Sequence, residues 1–333
     1  MIPSSPNPGR LLGLSGSYWQ TCALHAGVKL GLFTALGRHA RSPEQIAAMM
    51  DADARAVAML MNALVAMELL KREGEQYANT DESRLFLDES SETYQGHIIL
   101  HHHQLMASWA DLDKAVRSGR PVRTRSSFQD ADARRHFLMG MFNLAMGLAP
   151  RVAAALDLRG RRRLLDLGGG PGTYAIHFCQ RQPDMQAVVF DLPGTRPFAE
   201  DTIARFGLSD RIEFVSGDYL ETPLPGRYDM IWVSHILHAE NPANCRHIIR
   251  KAVDGLDAGG SLIIHDFFLH DTMDAPLFPT LFALNMLLGT DGGQAYSQAQ
   301  VEVMLKEAGL QRIERLHLDS PNDSGLLVGH RSS

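Results

Sequence analysis

Apolar residues in the second half of the chain alternate between short continuous runs and segments with helical spacing. Leu164, Leu165 and Leu167 form one run, which ends at a glycine cluster and is followed by a helical pattern from Thr173 to Cys179. A second run, Ala187 to Phe190, ends in an acidic residue. Short buried runs that alternate with helices are typical of parallel strands joined by crossover helices. The pattern therefore predicts an α/β domain with a doubly wound sheet.

The same alternation predicts the remaining elements of this half. A third strand begins at Arg211 and is followed by an acidic and an aromatic residue, and a fourth, from Tyr228 to Val233, is followed by a histidine-containing segment. We expect Gly259-Gly260 to form a turn before the fifth strand. The other predicted bounds are strands at Ser261–Phe267, Gln311–Leu318 and Gly325–His330, and helices at Arg196–Phe206, Ala243–Leu256, Pro276–Leu288 and Gln298–Glu307.

The first half of the chain is predominantly helical. Apolar spacing predicts helix from Leu11 to about Leu36, a serine-capped helix with Pro43 at its first position, and a helix from Ala54 to Leu70 capped by Asp53. A hairpin around Gly74 follows, so the pattern is that of a winged helix. We predict three regions, namely a winged-helix-like dimerisation domain at 1–95, a helical bridge at 96–158 that contributes to a substrate pocket, and an α/β domain at 159–333.

A winged helix raises the question of DNA binding. The helix that would enter the groove presents Arg55 and then mostly alanine, methionine, valine and leucine, with no stripe of phosphate-binding side chains. Net charge is −6, and no segment is densely basic. We therefore expect no nucleic acid or anionic membrane partner, and interpret the winged helix as a surface that packs against its twin in a homodimer.

Composition and targeting signals add few constraints. A chain of 333 residues, 45% of them hydrophobic, can bury more than one core. The three cysteines are far apart and lack C-x-x-C spacing, so they predict reduced thiols in a cytoplasmic protein. The N-terminus lacks the pattern of a signal peptide, and the apolar stretch Leu277–Leu288 is interrupted by Pro279 and Asn285, so no spanning helix is predicted.

The glycine cluster carries the strongest chemical signal. A dinucleotide-binding loop has the spacing G-x-G-x-x-G, whereas here the spacing is Asp166-x-Gly168-x-Gly170-x-Gly172, which resembles the S-adenosylmethionine fingerprint D-x-G-x-G-x-G. Asp191, at the tip of the second strand, can accept both hydroxyls of a ribose. We therefore predict S-adenosylmethionine as the cofactor.

Further polar residues follow the later strands, whose carboxyl ends meet at one edge of the sheet. Asp218 and Tyr219 follow the third strand and are placed to contact adenine. Two histidines of the segment Ser234-His235-Ile236-Leu237-His238 follow the fourth strand, and His265 and Asp266 end the fifth.

In this order, the glycine loop, Phe190-Asp191-Leu192-Pro193, Gly217-Asp218 and Ile236-Leu237-His238 resemble the S-adenosylmethionine-dependent O-methyltransferases typified by caffeic acid and hydroxyindole O-methyltransferases. The resemblance covers nearly the whole chain and implies a Rossmann-like class I methyltransferase sheet of seven strands, an N-terminal dimerisation domain and a role in secondary metabolism. It also implies that His238 is the general base and that Asp266 orients it. The cofactor contacts that it implies are Gly168, Gly169, Gly170, Asp191, Leu192, Asp218, Tyr219 and Ser234. The fingerprint itself adds Asp166 as a cofactor-binding residue.

The chain departs from the family pattern in three places. Ala239-Glu240 stands where the family usually has Asp-Trp, Ala295 stands where a second acid is usual, and His265 before Asp266 is not typical. The fold includes relatives that methylate carbon, such as a bacteriochlorophyllide methyltransferase, so carbon methylation of a tetrapyrrole-like substrate stays open. His265 or His270 binding a chlorin metal also stays open. A sensor that binds S-adenosylmethionine without catalysis is the alternative from another class.

The methyl acceptor is expected between the sheet edge and the helix Pro276–Leu288, which is largely apolar with one amide. We predict a small, flat, hydrophobic acceptor. The predicted pocket residues are Met141, Phe282, Asn285, Met286 and His265. His97 and His101 lie four residues apart on the helical bridge, but no carboxylate or cysteine completes a metal site near them, so no metal is expected.

Overall fold

A computed structural model describes residues 7–125, 130–316, 318, 320 and 322–332. The chain divides into two compact units, Met1–Gln104 and Leu105–Ser333.

The N-terminal unit contains a helical cluster and a small hairpin. Ser42 and Gln45 form a reciprocal capping box, and Asp53 caps the helix that follows it. Its elements are α1 (Gly9–Gly16), α2 (Tyr18–Lys29), α3 (Leu32–Leu36), α4 (Pro43–Met50), α5 (Ala54–Ala66), β1 (Leu70–Glu73), β2 (Gln76–Asn79) and α6 (Asp81–Phe86), and α7 (Gly96–Ala110) begins within it. Arg41 forms an isolated bridge to Tyr77, which adds a third extended segment to the hairpin. The winged-helix pattern is therefore present.

Two predicted helical segments differ from the observed ones. The continuous pattern from Leu11 to Leu36 forms three helices, because the chain turns at Ser17 and at Gly31, where φ is 69°. The helix expected to reach Leu70 ends at Ala66, and Glu68 adopts a φ of 61°. A left-handed residue stops the helical hydrogen-bond pattern, so Leu70 begins β1 instead.

The C-terminal unit alternates strands and helices as predicted. Its helices are α8 (Leu112–Ser118), α9 (Ala131–Ala155), α10 (Thr173–Arg181), α11 (Arg196–Arg205), α12 (Pro242–Asp254), α13 (Leu277–Gly289) and α14 (Gln298–Glu307). Its strands are β3 (Arg163–Leu167), β4 (Gln186–Asp191), β5 (Ile212–Ser216), β6 (Tyr228–Ser234), β7 (Leu256–Leu269), β8 (Tyr296–Ser297), β9 (Gln311–Leu316) and β10 (Ser324–His330).

Seven of these strands form one continuous sheet in the order β5-β4-β3-β6-β7-β10-β9, and the short β8 pairs with the end of β7. The first five run parallel, while β10 is antiparallel to both of its neighbours. The strand order reverses direction between β3 and β6, which creates a crevice at their carboxyl ends. The predicted Rossmann-like sheet of seven strands is confirmed, with β8 as an addition.

The fifth strand of this sheet is longer than predicted. β7 begins at Leu256, which pairs with Tyr228, whereas Ser261 pairs with Met230. Four residues separate Leu256 from Ser261, whereas one residue separates their partners on β6. The extra residues form an irregularity within β7, where Gly259 has a φ of 72°. The expected turn at Gly259-Gly260 is therefore wrong, and these glycines form a bulge.

The sheet separates two hydrophobic cores, because successive residues of a strand point to opposite faces. Trp232 and Ile263 belong to the core on the side of α9 and α10, whereas Ile231 and Ile264 belong to the core on the side of α12 and α14. By the same alternation, His265 faces the α10 side and Asp266 faces the α12 side.

One helix in the described part of the chain, α9, is long and apolar enough to cross a membrane by length and composition. Ala149, Val152 and Ala153 of this helix are buried in the core beside α10. The core helix of a globular protein passes the same length and composition test.

Leu64 tests the core of the N-terminal unit, since its side chain is 0% exposed on α5. Replacing it with alanine leaves a cavity, so we expect Leu64→Ala to lower the free energy of unfolding by about 2–5 kcal/mol. Urea denaturation followed by circular dichroism measures this change. Met59 lies on the same helix and is 59% exposed, so Met59→Ala is the matched control and should have little effect. Equal destabilisation by the two variants would contradict the assigned packing.

Candidate active site

The glycine motif forms the loop between β3 and α10, at the carboxyl end of β3. Gly168, Gly170 and Gly172 have φ values of 69°, 55° and 78°, in the left-handed region that favours glycine. A Cβ on Gly168 would lie 2.4 Å from Cδ1 of Ile236. The loop therefore has a shape that side chains would disrupt, and its backbone is open to close approach by a ligand.

Asp191, at the end of β4, is hydrogen-bonded to this loop. Its Oδ2 accepts from the Gly170 N–H at 2.8 Å, and its Oδ1 accepts from the Leu192 N–H at 2.6 Å and from the Thr195 hydroxyl at 3.1 Å. Burial raises the pKa of Asp191 despite these bonds. The carboxylate thus links the glycine loop to the segment after β4, and Thr195 is a partner that sequence reasoning missed.

Asp166 lies beneath the loop and is 1% exposed. A Cβ on Gly169 would lie 2.5 Å from its Cγ. Burial, with a contribution from the nearby Asp191 charge, raises the pKa of Asp166 to about 7. Its Oδ2 is buried and has no hydrogen-bond partner among the residues that the structure describes. One carboxyl oxygen therefore stays available to a donor from a ligand.

Asp218 and Tyr219 follow β5, as predicted, and both are half-buried. Asp218 Oδ1 accepts from the Leu220 N–H at 2.7 Å, which shapes the turn. The Tyr219 hydroxyl donates to Glu240 Oε1 at 2.8 Å, and burial raises its pKa. The hydroxyl is engaged within the protein, so the ring is the part of Tyr219 that a cofactor can contact.

His238 and Asp266 form the closest pair of titratable side chains at this edge of the sheet. His238 lies in a short 3-10 turn, Leu237–Ala239, directly after β6, and Asp266 lies near the end of β7. His238 Nδ1 is 2.6 Å from Asp266 Oδ1, and the backbone N–H of His238 donates to Asp266 Oδ2 at 3.3 Å. The carboxylate therefore holds both the ring and the backbone of His238.

Asp266 is 4% exposed, and burial alone would raise its pKa. The imidazoles of His238 and His235 outweigh burial and hold the pKa of Asp266 well below its usual range. The group is thus an ionised carboxylate at neutral pH. Because Asp266 can only accept hydrogen bonds, His238 Nδ1 carries a proton, and in the neutral ring Nε2 would therefore be the nitrogen with the lone pair.

His235 is a second histidine beside the same carboxylate, and sequence reasoning did not assign it a role. Its φ is 55°, its Nδ1 lies 3.7 Å from Asp266 Oδ1, and its ring lies 4.4 Å from the His265 ring. His235, His238 and Asp266 are also the only group in the described ranges that could hold a metal ion. However, a separation of 2.6 Å fits a hydrogen bond, because two ligands of one tetrahedral zinc lie more than about 3 Å apart.

His265 does not lie where the sequence placed it. It is 0% exposed, with Nδ1 2.8 Å from the Ser234 hydroxyl and Nε2 3.1 Å from the Ser324 hydroxyl. Burial lowers its pKa well below the usual value, so the ring is neutral. Because His265 points to the α10 side of the sheet, away from Asp266, the structure does not support its expected contact with an acceptor. Ser234, predicted to contact the cofactor, is the hydrogen-bond partner of this buried ring.

Helix α13, beside which the acceptor is predicted, contacts His238. The Phe282 ring lies 4.7 Å from the His238 ring, and Phe267 lies 4.8 Å from Phe282 and 4.9 Å from Phe278. Asn285 follows on the same helix, half-buried, and Met286 is 8% exposed. Aromatic rings therefore form one wall beside His238.

The other predicted contacts lie elsewhere. Met141 is half-buried on α9, His270 is exposed beyond the end of β7, and His97 and His101 lie on α7 outside the His238 group. An acceptor contact by Met141 stays a prediction.

An ion pair next to His238 in the chain was not anticipated. Arg125 Nη2 donates to Glu240 Oε1 at 2.9 Å and to the Ala239 carbonyl at 3.1 Å. Glu240 is 4% exposed, and its Oε2 accepts from Asn244 Nδ2 at 2.8 Å. Sequence reasoning noted Glu240 only as a departure from a family pattern, and no spacing rule links it to Arg125, which is 115 positions away.

These features, a doubly wound sheet with a glycine loop and acids at successive strand ends, define the S-adenosylmethionine-dependent methyltransferase class. Residues 109–311 match the O-methyltransferase domain, and residues 12–89 match the O-methyltransferase dimerisation domain. The chain therefore belongs to the O-methyltransferase family and is an S-adenosylmethionine-dependent O-methyltransferase.

Two curated relatives span nearly the whole chain. The tetracenomycin polyketide synthesis 8-O-methyl transferase of Streptomyces glaucescens is 31% identical over 97% of each chain. The 3-hydroxy-5-methyl-1-naphthoate 3-O-methyltransferase of Streptomyces sahachiroi is 29% identical over 98% of this chain and 96% of the relative. Among solved structures, PigF with SAH is 27% identical, with a TM-score of 0.89 over 98% of this chain and 100% of that one.

Asp166 predicts a pH-dependent effect on stability. Its pKa is raised from 3.8 to about 7, so the folded protein binds more protons than the unfolded chain between these values, and wild type loses stability as pH rises through that window. Asp166→Asn removes the titration. The unfolding free energy of the variant minus that of wild type should therefore be about 2–3 kcal/mol higher at pH 8 than at pH 5, because only wild type loses stability as this carboxyl group ionises. Urea denaturation at both pH values, without added cofactor, measures this.

The control for this measurement is the exposed Asp184, whose Asn variant should show no such pH-dependent difference. A stability difference between Asp166→Asn and wild type that is the same at pH 5 and pH 8 would contradict the raised pKa.

Proposed function

We propose that this O-methyltransferase transfers the methyl group of S-adenosylmethionine to a hydroxyl of a small, hydrophobic, aromatic acceptor, with His238 as the general base. The observation that carries this assignment is the 2.6 Å contact between His238 Nδ1 and Asp266 Oδ1 at the carboxyl edge of the sheet. Asp266 orients the imidazole and stabilises its protonated form.

The cofactor supplies an electrophilic methyl group on a sulfonium centre. Gly168, Gly169 and Gly170 would hold it through their backbone, and Asp191 and Leu192 would lie at the ribose. The unpartnered Oδ2 of Asp166 suits a donor such as the amino group of the methionine moiety. Asp218 and the Tyr219 ring would lie at the adenine. The donor and acceptor chemistry of these residues therefore fits the cofactor.

A base is useful because the acceptor hydroxyl is weakly acidic. A phenol has a pKa of about 10 and a free imidazole about 6.5, so complete proton transfer before attack would cost roughly 5 kcal/mol. Removal of the proton by His238 Nε2 as the new bond forms avoids much of this cost. Holding the reactants in line is the other contribution, worth up to about 7–11 kcal/mol.

The aromatic wall supports a flat acceptor. The Phe267 and Phe282 rings lie 5.9 and 4.7 Å from the His238 ring, and Phe278 packs against both phenylalanines. Rings of this kind favour stacked or edge-on contacts with another aromatic molecule. Two relatives are named for a naphthoate and for a tetracenomycin polyketide, which are aromatic.

The remaining assignments are part of the same proposal. The match of residues 12–89 to a dimerisation domain supports a homodimer formed through the N-terminal domain. We further propose that the enzyme is cytoplasmic, that residues 96–158 form a helical bridge to the catalytic domain at 159–333, and that it acts without nucleic acid, membrane or metal.

The base assignment is tested with methyl-labelled S-adenosylmethionine and a small-molecule extract of the host. We expect His238→Ala to reduce label transfer by about 100-fold or more, because general base catalysis contributes about 10²–10⁴. The matched control is His247→Ala, since His247 is exposed on α12. Transfer at the wild-type rate by His238→Ala would refute the base assignment and would favour methylation of carbon or another atom that needs no base.

A second variant tests the orienting carboxylate. Asp266→Asn keeps the size of the side chain but removes the charge that stabilises protonated His238. We expect kcat to fall by about 10²-fold or more, with little change in the affinity for S-adenosylmethionine. Single-turnover methyl transfer and isothermal titration calorimetry measure these quantities. A normal kcat would mean that Asp266 only supports the fold.

A further inference from the structure

Two arginines in the segment between α8 and α9 differ in their partners. Arg125 pairs with the Glu240 carboxylate at 2.9 Å. Arg123, two positions earlier, has no aspartate or glutamate within ion-pair distance in the part of the chain that the structure describes. Its Nη2 donates instead to Asn285 Oδ1 at 3.1 Å and to the Asn285 carbonyl at 3.3 Å. Among the described residues, Arg123 is therefore a cation without a counter-charge.

The position of Arg123 is well defined by its backbone and by helix α13. The N–H groups of Val122 and Arg123 both donate to the Leu288 carbonyl, at 3.0 and 3.1 Å. A Cβ on Gly289 would lie 2.4 Å from Arg123 Cζ, so the guanidinium packs directly against the helix at this glycine. The negative end of the helix dipole favours a cation there, but a partial charge does not neutralise it.

The guanidinium lies on the face of α13 that meets the base. Phe282 contacts the His238 ring at 4.7 Å. Asn285 and Gly289 follow Phe282 by three and seven positions, and residues at such spacing share one helix face. Arg123 and Asn285 are therefore on the side of the helix where the proposed acceptor would lie.

The side-chain groups of Arg123 and Asn285 that lack a hydrogen-bond partner among the described residues are donors. Arginine has no acceptor, so the amide atom that faces it must be the oxygen, which leaves Asn285 Nδ2 without a partner among the described residues. Arg123 Nε is also buried without a partner in those residues. Burial lowers the pKa of Arg123, because a desolvated cation is unfavourable without an anion. The complementary group is an oxygen that only accepts, and a negative charge fits best.

We propose that Arg123 and Asn285 form a subsite for a carboxylate of the methyl acceptor, so that the acceptor is a hydroxyaromatic acid. The inference rests on the proposed function for the location of the acceptor beside His238. It assigns Arg123 as a specificity-determining residue, because a neutral acceptor would leave the guanidinium without a counter-charge.

Binding of three matched probes tests the subsite. Isothermal titration calorimetry compares 6-hydroxy-2-naphthoate, 6-acetyl-2-naphthol and 2-naphthol on protein saturated with S-adenosylhomocysteine. We expect wild type to bind the naphthoate at least about 10-fold more tightly than either neutral probe, the difference that a charge-assisted hydrogen bond supplies. Arg123→Met should abolish this preference.

Two further variants separate the subsite from general effects on folding. Gly289→Ala keeps both subsite residues but places a methyl group where the guanidinium lies, so it should weaken naphthoate binding and leave 2-naphthol binding unchanged. Arg120→Met removes the same charge from an exposed position of the same segment and should retain the full preference. Thermal unfolding of each variant identifies any loss of the fold.

Equal binding of the naphthoate and the acetylnaphthol would overturn the requirement for a charge. Failure of the naphthoate to bind, or a preference that survives in Arg123→Met, would overturn the subsite. Methyl transfer is measured separately with the same probes. A preference for the naphthoate that depends on Arg123, together with methylation that does not depend on His238, would contradict the proposed base and leave the subsite intact.

Discussion

The chemistry of the site depends on one buried carboxylate, Asp266, and on the parallel register that places it beside His238. Ser234 at the end of β6 is opposite His265 on β7, so the turn after β6 carries His238 directly over the next residue, Asp266. Burying an isolated carboxylate would be costly, and two imidazoles and two backbone N–H groups offset that cost. The same contacts that make the ion tolerable also orient the proposed base.

The buried acids of this sheet edge show how the partner decides the charge of a carboxyl group. Asp266 has imidazole neighbours and stays ionised, whereas Asp166 has an oxygen without a partner among the described residues and a pKa raised to about 7. Asp191 accepts from two backbone N–H groups and a hydroxyl, yet burial still raises its pKa. The proposed base, His238, therefore has a fixed anion beside it, while the glycine loop has a carboxyl group that a bound cation or donor would ionise.

Local patterns predicted most elements because their causes are local. The capped helix α14 has the predicted bounds, and the fourth strand is within one residue of its prediction. One error occurred where a tertiary contact outweighed a local signal. Gly259-Gly260 has the composition of a turn, but pairing of Leu256 with Tyr228 keeps it within β7. His265 was expected in the acceptor pocket from its position at a strand end, whereas its ring is fully buried between the Ser234 and Ser324 hydroxyls.

The sequence by itself determined the class of enzyme, because the glycine spacing, the acids at strand ends and the histidine after the fourth strand are short motifs whose chemistry follows from their order. It also determined that His238 and Asp266 lie at one edge, since parallel strands bring their carboxyl ends together. Only the tertiary structure decided which acid touches which base, that Glu240 pairs with Arg125, and that Arg123 has no acidic partner in the described residues. Those contacts join positions far apart in the chain, and their geometry depends on packing that no local pattern records.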